Sequence, residues 1–151
     1  MRPITLIVVH CSAVRPYQTS SAQQIDEWHK KRETNGIRWR GIGYHYVIRR
    51  NGTIENGRPL SQPGAHVVGH NKYSVGICYE GGLDNDGRDD DTRTPEQKKT
   101  LRELLEQLHK QFPQALIVGH HDLSPAKPCP CFDVVGEYWD LQPQPPATLR
   151  I

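Results

Sequence analysis

A chain of 151 residues is long enough to bury a core but too short for two ordinary domains, so residues 1–151 read as one unit. Its 19 basic and 17 acidic side chains leave a net charge of +2, too balanced for a nucleic-acid-binding footprint. Hydrophobic content of 35% with 24% charged residues is that of an ordinary soluble globular protein, and no stretch reaches the roughly 18 apolar residues of a membrane span.

The run Ile4, Thr5, Leu6, Ile7, Val8, Val9 predicts an apolar strand that stops at His10. It is too short for a signal-peptide core, so synthesis in the cytoplasm is expected. Strand alternation sends Cys11 to the face opposite His10, into the core. After a loop to Thr19, Ser21 and Gln24 form a capping-box pattern, and Ile25 and Trp28 with Lys30, Lys31 and Arg32 predict a one-sided helix to about Thr34, stopped by Asn35-Gly36. A glycine-rich link, Gly41 to Gly43, leads into a strand from Tyr44 to Arg50. Asn51-Gly52 is a hairpin signal, so Thr53 to Glu55 should return antiparallel.

The loop from Asn56 to Asn71 carries His66 and His70. A long histidine-bearing loop can wall a substrate, so His66 and Asn71 are read as substrate-binding, with solvated loop residues the alternative. Ser74 to Tyr79 is a further strand. The acidic run Asp84 to Asp91 lacks the ligand spacing of a calcium loop and reads as a solvated turn. Thr94, Pro95 and Gln97 open a helix whose Leu101, Leu104, Leu105, Leu108 and Phe112 recur at helical spacing and should face the core. Ala115 to Val118 is a buried strand with His120 at its end. Phe132 to Trp139 predicts a short helix, and the chain from about Gln142 to Ile151 an irregular tail.

The chemistry concentrates in Gly119 to Cys131, which holds two imidazoles, a carboxylate, an ammonium and two thiols. Three prolines, Pro125, Pro128 and Pro130, shape this exit loop, so the path from His120 to Cys129 should be stiff. A catalytic zinc usually takes three protein ligands and a water, and two apolar strands that each end in histidine suggest neighbours in one sheet. The expected ligand set is therefore His10, His120 and Cys129. The plainer reading, hydrogen-bonded imidazoles and buried thiols, stands beside it on spacing alone, since no paired-cysteine motif is present.

The blocks Val9-His10-Cys11-Ser12-Ala13, Gly43-Tyr44-His45-Tyr46, Arg50-Asn51-Gly52-Thr53, Ser74-Val75-Gly76-Ile77-Cys78, Gly119-His120-His121-Asp122 and Lys127-Pro128-Cys129-Pro130 together resemble the type 2 N-acetylmuramoyl-L-alanine amidases, nearest the phage lysozyme-like branch. The resemblance implies an α/β fold of the zinc amidase and peptidoglycan recognition protein kind, with one mixed central β-sheet flanked by about three helices. It also implies a zinc-dependent hydrolase of the amide joining the lactyl group of N-acetylmuramic acid to L-alanine in peptidoglycan. By the same resemblance the histidine directly after Gly119 is the ligand and Tyr44 takes the acid/base position.

Zinc acidifies water for attack on an amide, and Lys127, two residues from Cys129, can place a positive charge near the resulting oxyanion. Asp122 is a candidate hydrogen-bond acceptor that would orient a ligand histidine, or a loop-turning residue. The loop is one residue longer than in the nearest branch, and Cys131 adds a second thiol, a runner-up ligand. Two other functions compete: a non-catalytic peptidoglycan-binding module, and a cysteine peptidase with Cys129 as nucleophile. A monomer delivered to the cell wall is expected, and regulation of a polymerase, known in some phage relatives, is left open.

Overall fold

The computed structural model describes residues 2–143. Apart from Gln142 and Pro143, the expected irregular tail lies outside the described residues. A five-stranded mixed sheet has the order β5-β4-β6-β1-β7, with β1 Leu6–Cys11, β4 Tyr46–Ile48, β5 Ile54–Asn56, β6 Ser74–Tyr79 and β7 Leu116–Gly119. β1, β4, β6 and β7 run parallel, and β5 turns back antiparallel on β4 through the Asn51-Gly52 turn, where Gly52 has φ 87°. The central strands β1 and β6 are almost wholly buried, as parallel strands covered on both faces must be.

Alternation along β1 divides the molecule. Ile7, Val9 and Cys11 point toward α2, Pro95–Gln111, whose Leu101, Leu104, Leu105 and Leu108 complete the larger apolar layer. Each such leucine contributes about 1.5–3 kcal/mol by leaving water. Val8 turns to the other face, where it meets Val67 and Val118, and His10 shares that face. Ile25 of α1, Ala22–Lys30, covers the same side through Ile42, Val47 and Cys78. Both long helices open with capping boxes, the expected one of Ser21 with Gln24 and, at the expected helix start, Thr94 with Gln97. The core placement of Cys11 follows the alternation read from the sequence.

The sheet is flanked by few helices, in keeping with the mixed α/β fold expected. Two long helices lie on the sheet, and the others are single turns, α3 His120–Leu123 and α4 Val134–Glu137. The first helix ends at Lys30, four residues before the expected Thr34. Asn35, at φ 53°, and Gly36, at φ 79°, form the turn of a two-stranded ribbon, β2 Glu33–Thr34 against β3 Ile37–Arg38. An Asn-Gly pair accepts two positive-φ residues in succession, and here it makes a hairpin instead of merely stopping a helix. At the sheet edge, the Gln142 side-chain amide pairs with both the N–H and the C=O of Ile117, at 2.9 and 2.7 Å, and occupies backbone groups that an edge strand leaves open.

Candidate active site

The register Val9↔Gly119 between β1 and β7 brings the next residues, His10 and His120, to one end of the sheet with ring centroids 4.6 Å apart. The exit loop then folds back on itself. His121 N–H donates to Cys129 O at 2.9 Å, Ser124 N–H to His120 O at 3.0 Å and Lys127 N–H to Ser124 O at 2.9 Å. Cys11 N–H donates to Cys129 Sγ at 3.0 Å, so the end of β1 also orients the thiol. One donor atom each from His10, His120 and Cys129 lies within 4.8 Å of the other two. Tetrahedral zinc with nitrogen and sulfur bonds of about 2.0–2.3 Å sets its donors roughly 3.3–3.8 Å apart, so a small contraction would seat the ion.

Protonation favours the same use. His10 is 1% exposed, and burial, then the imidazoles of His66, His120 and His29, hold its pKa well below the ordinary value. Burial and then the Lys127 ammonium lower that of His120. Both rings are thus neutral near pH 7, the form that gives a lone pair to a metal.

Tyr44 stands beside these imidazoles, its ring centroid 5.0 Å from that of His10. Burial, then the neighbouring thiols Cys78, Cys129 and Cys11, push its pKa well above the ordinary value, so the phenol keeps its proton at all working pH. Lys127 and Tyr44 border one cavity of about 540 Å³ together with His120, His66 and Asn71. Among the described residues its lining includes two full cations, Arg32 and Lys127, and no carboxylate. A smaller hollow of about 250 Å³, bordered by Asp26, Arg40 and Arg58, includes none of the three donors.

His66, Asn71 and Asp122 take up specific hydrogen-bonded places around the site. His66 Nδ1 is 2.8 Å from His10 Nε2, and its other ring nitrogen is 3.0 Å from Ser74 Oγ. Burial, then His45, His120, Arg2 and Arg58, bring the pKa of His66 down to about 3. Asn71 borders the cavity, but its Oδ1 accepts the backbone N–H groups of His66 and Val67 at 2.8 and 2.9 Å and so braces the loop. Asp122 accepts the Gly119 N–H at 2.8 Å and lies 3.4 Å from His121 Nε2. Its carboxylate caps α3, which is the loop-turning alternative, and makes no bond to His10 or His120.

His29 also lines the cavity and was missed in the sequence. Its Nδ1 accepts Gly43 N–H at 2.9 Å, which leaves the ring proton on Nε2. The signal was present, because His29 sits four residues after Ile25 on the buried face of α1.

The family model described as N-acetylmuramoyl-L-alanine amidase matches residues 1–132. The endolysin of Klebsiella phage KP32 is 41% identical over 134 residues, 89% of this chain and 84% of that protein. The endolysin of Escherichia phage T7 is 40% identical over the same shares. Among solved structures, the N-acetylmuramoyl-L-alanine amidase LysC from Clostridium intestinale URNW superposes with a TM-score of 0.74 at 32% identity, covering 91% of this chain and 83% of its own.

Proposed function

Because the chain belongs to the N-acetylmuramoyl-L-alanine amidase family and is an amidase acting on peptidoglycan, we propose that it works as a zinc enzyme whose ion is held by His10, His120 and Cys129. The observation that carries this reading is the convergence of two neutral imidazoles, the buried His10 and the half-buried His120, and one thiol at a single point beside a cavity. Two nitrogens and a sulfur are a zinc donor set, and three protein ligands leave the fourth position open, as a catalytic centre requires. Bound there, zinc would supply Lewis acidity at the carbonyl and acidify water at neutral pH.

The chain's own residues supply the rest. The cavity seats the glycopeptide with its scissile amide near His120. Lys127, on the same wall, presents its ammonium to the negative charge that develops on the amide oxygen. Tyr44 keeps its proton and serves as a hydrogen-bond donor to the oxygen or to the departing amine, not as a base. The bond broken is the one between the lactyl group and L-alanine, and residues 1–151 act as one monomeric unit that is made in the cytoplasm and delivered to the wall.

The test is direct. Protein loaded with one equivalent of zinc is incubated with purified peptidoglycan, and new lactyl carboxyl ends and free L-alanine amino ends are counted. Equal numbers of both are expected, together with their loss when a chelator removes the metal. Undiminished cleavage by metal-free protein would overturn the zinc assignment.

A further inference from the structure

A histidine that ligates a metal needs its second ring nitrogen held, because that bond sets both the tautomer and the plane of the ring. Asp122, the carboxylate nearest in sequence to the proposed ligands, is engaged with Gly119 and His121. The group that meets His10 is another imidazole. His66 Nδ1 stands 2.8 Å from His10 Nε2, and the two rings meet edge-on at 81°.

Proton counting then orders the chain of bonds. A bond between two neutral imidazole nitrogens carries one proton. With Nε2 of His10 engaged, Nδ1 is its remaining lone pair for a metal, so Nε2 carries the hydrogen and donates to His66 Nδ1. The proton of His66 must then sit on its own Nε2 and reach Ser74 Oγ, 3.0 Å away. Ser74 is wholly buried at the head of β6, opposite Leu6 of β1, so the chain ends on the sheet itself.

The His66 ring is also fixed from other directions. Asn71 Oδ1 takes its backbone N–H, and Gly76 of β6 lies under the ring. A Cβ at Gly76 would come within 2.8–2.9 Å of three His66 ring atoms, closer than side chains tolerate, and Gly76 N–H is itself held by His45 Nδ1 at 3.0 Å. The glycine admits the imidazole.

We propose that His66 is a positioning residue for the metal ligand His10, holding it in the Nε2–H tautomer through a neutral imidazole anchored on Ser74, and that Gly76 is required because a side chain there would displace that ring. The proposal rests on the zinc reading above and goes beyond it. A neutral acceptor in place of a carboxylate adds no negative charge to the centre.

Zinc affinity, measured by competition with a chromophoric chelator, separates the two layers. Wild-type protein that takes up no zinc overturns the zinc reading and this inference with it. Given one zinc in the wild type, His66→Phe should fold, as judged by circular dichroism of the metal-free protein, and bind zinc roughly 10- to 100-fold more weakly. His66→Gln, whose carbonyl can still accept from His10, should recover much of that loss, and Gly76→Ala should resemble His66→Phe. Should His66→Phe fail to fold, nitrogen-15 spectra of the zinc-loaded wild type decide, with the His10 proton expected on Nε2. A folded His66→Phe protein with wild-type zinc affinity, or a His10 proton on Nδ1, overturns the proposal.

Discussion

His10 and His120 stand with ring centroids 4.6 Å apart because β1 and β7 are adjacent parallel strands in a register that pairs Val9 with Gly119. Parallel neighbours bring like ends of strands together, so two residues from opposite ends of the chain arrive at the same rim of the sheet. Cys129 is added by the loop that follows, tied back through His121 N–H and Cys11 N–H.

Replacing His120 or Cys129 with alanine should lower bound zinc from one equivalent to near none and reduce cleavage of purified peptidoglycan to background. The apolar layer under α2 includes neither side chain among its fully buried members, so the fold should survive. Elemental analysis alongside circular dichroism checks both halves of the expectation.

Lys127→Ala should act on rate and not on metal. Loss of one positive group at a developing oxyanion costs about 3 kcal/mol, or roughly 10²–10³ in kcat. Zinc content should stay at one equivalent. Steady-state rates on soluble muropeptide with metal analysis of the same sample provide the measurement.

Tyr44→Phe removes a proton donor whose pKa lies well above its ordinary value. Such a group does not titrate in the working range. The variant should therefore lose on the order of 10²-fold in kcat and keep the wild-type position of any alkaline limb below pH 10. A shift of that limb on substitution would show that Tyr44 ionises.

Metal-free protein should lose stability as pH falls from about 6.5 to about 4. Burial is the first cause that lowers His29 and His45 to about 4 in the folded chain, while the unfolded chain keeps values near 6.5. Above pH 6.5 both states hold these rings neutral and nothing is lost. Between the two values the unfolded state takes up protons that the folded state refuses, so the unfolding free energy falls with falling pH. Urea midpoints across this window supply the test, and His45→Gln should flatten the slope.

Arg93 is buried between Asp91 and Glu137, with its guanidinium 3.4 Å over the Phe132 ring. Arg93→Ala leaves Asp91 and Glu137 unpaired and uncovers the Phe132 ring; because both carboxylates reach solvent, the cost should be about 1–3 kcal/mol of stability by urea unfolding. The zinc stoichiometry of the folded fraction should not change.

What the sequence by itself determined was whatever depends on neighbours along the chain. The apolar runs before His10 and His120, the leucine spacing of α2, the Ser21–Gln24 capping box, the helix start at Thr94-Pro95 and the Asn51-Gly52 turn are local patterns, and each became the element it predicted. The convergence of His10, His120 and Cys129 was legible because strand ends and a proline-stiffened loop limit where side chains can go. The tertiary structure alone decided the strand order and the partners of His66 across the sheet. Those outcomes turn on which surfaces meet across the sheet. A long loop can place His66 beside His10 only after β1 and β6 have paired and Gly76 has left room for the ring, and no periodicity in the loop itself encodes that arrival.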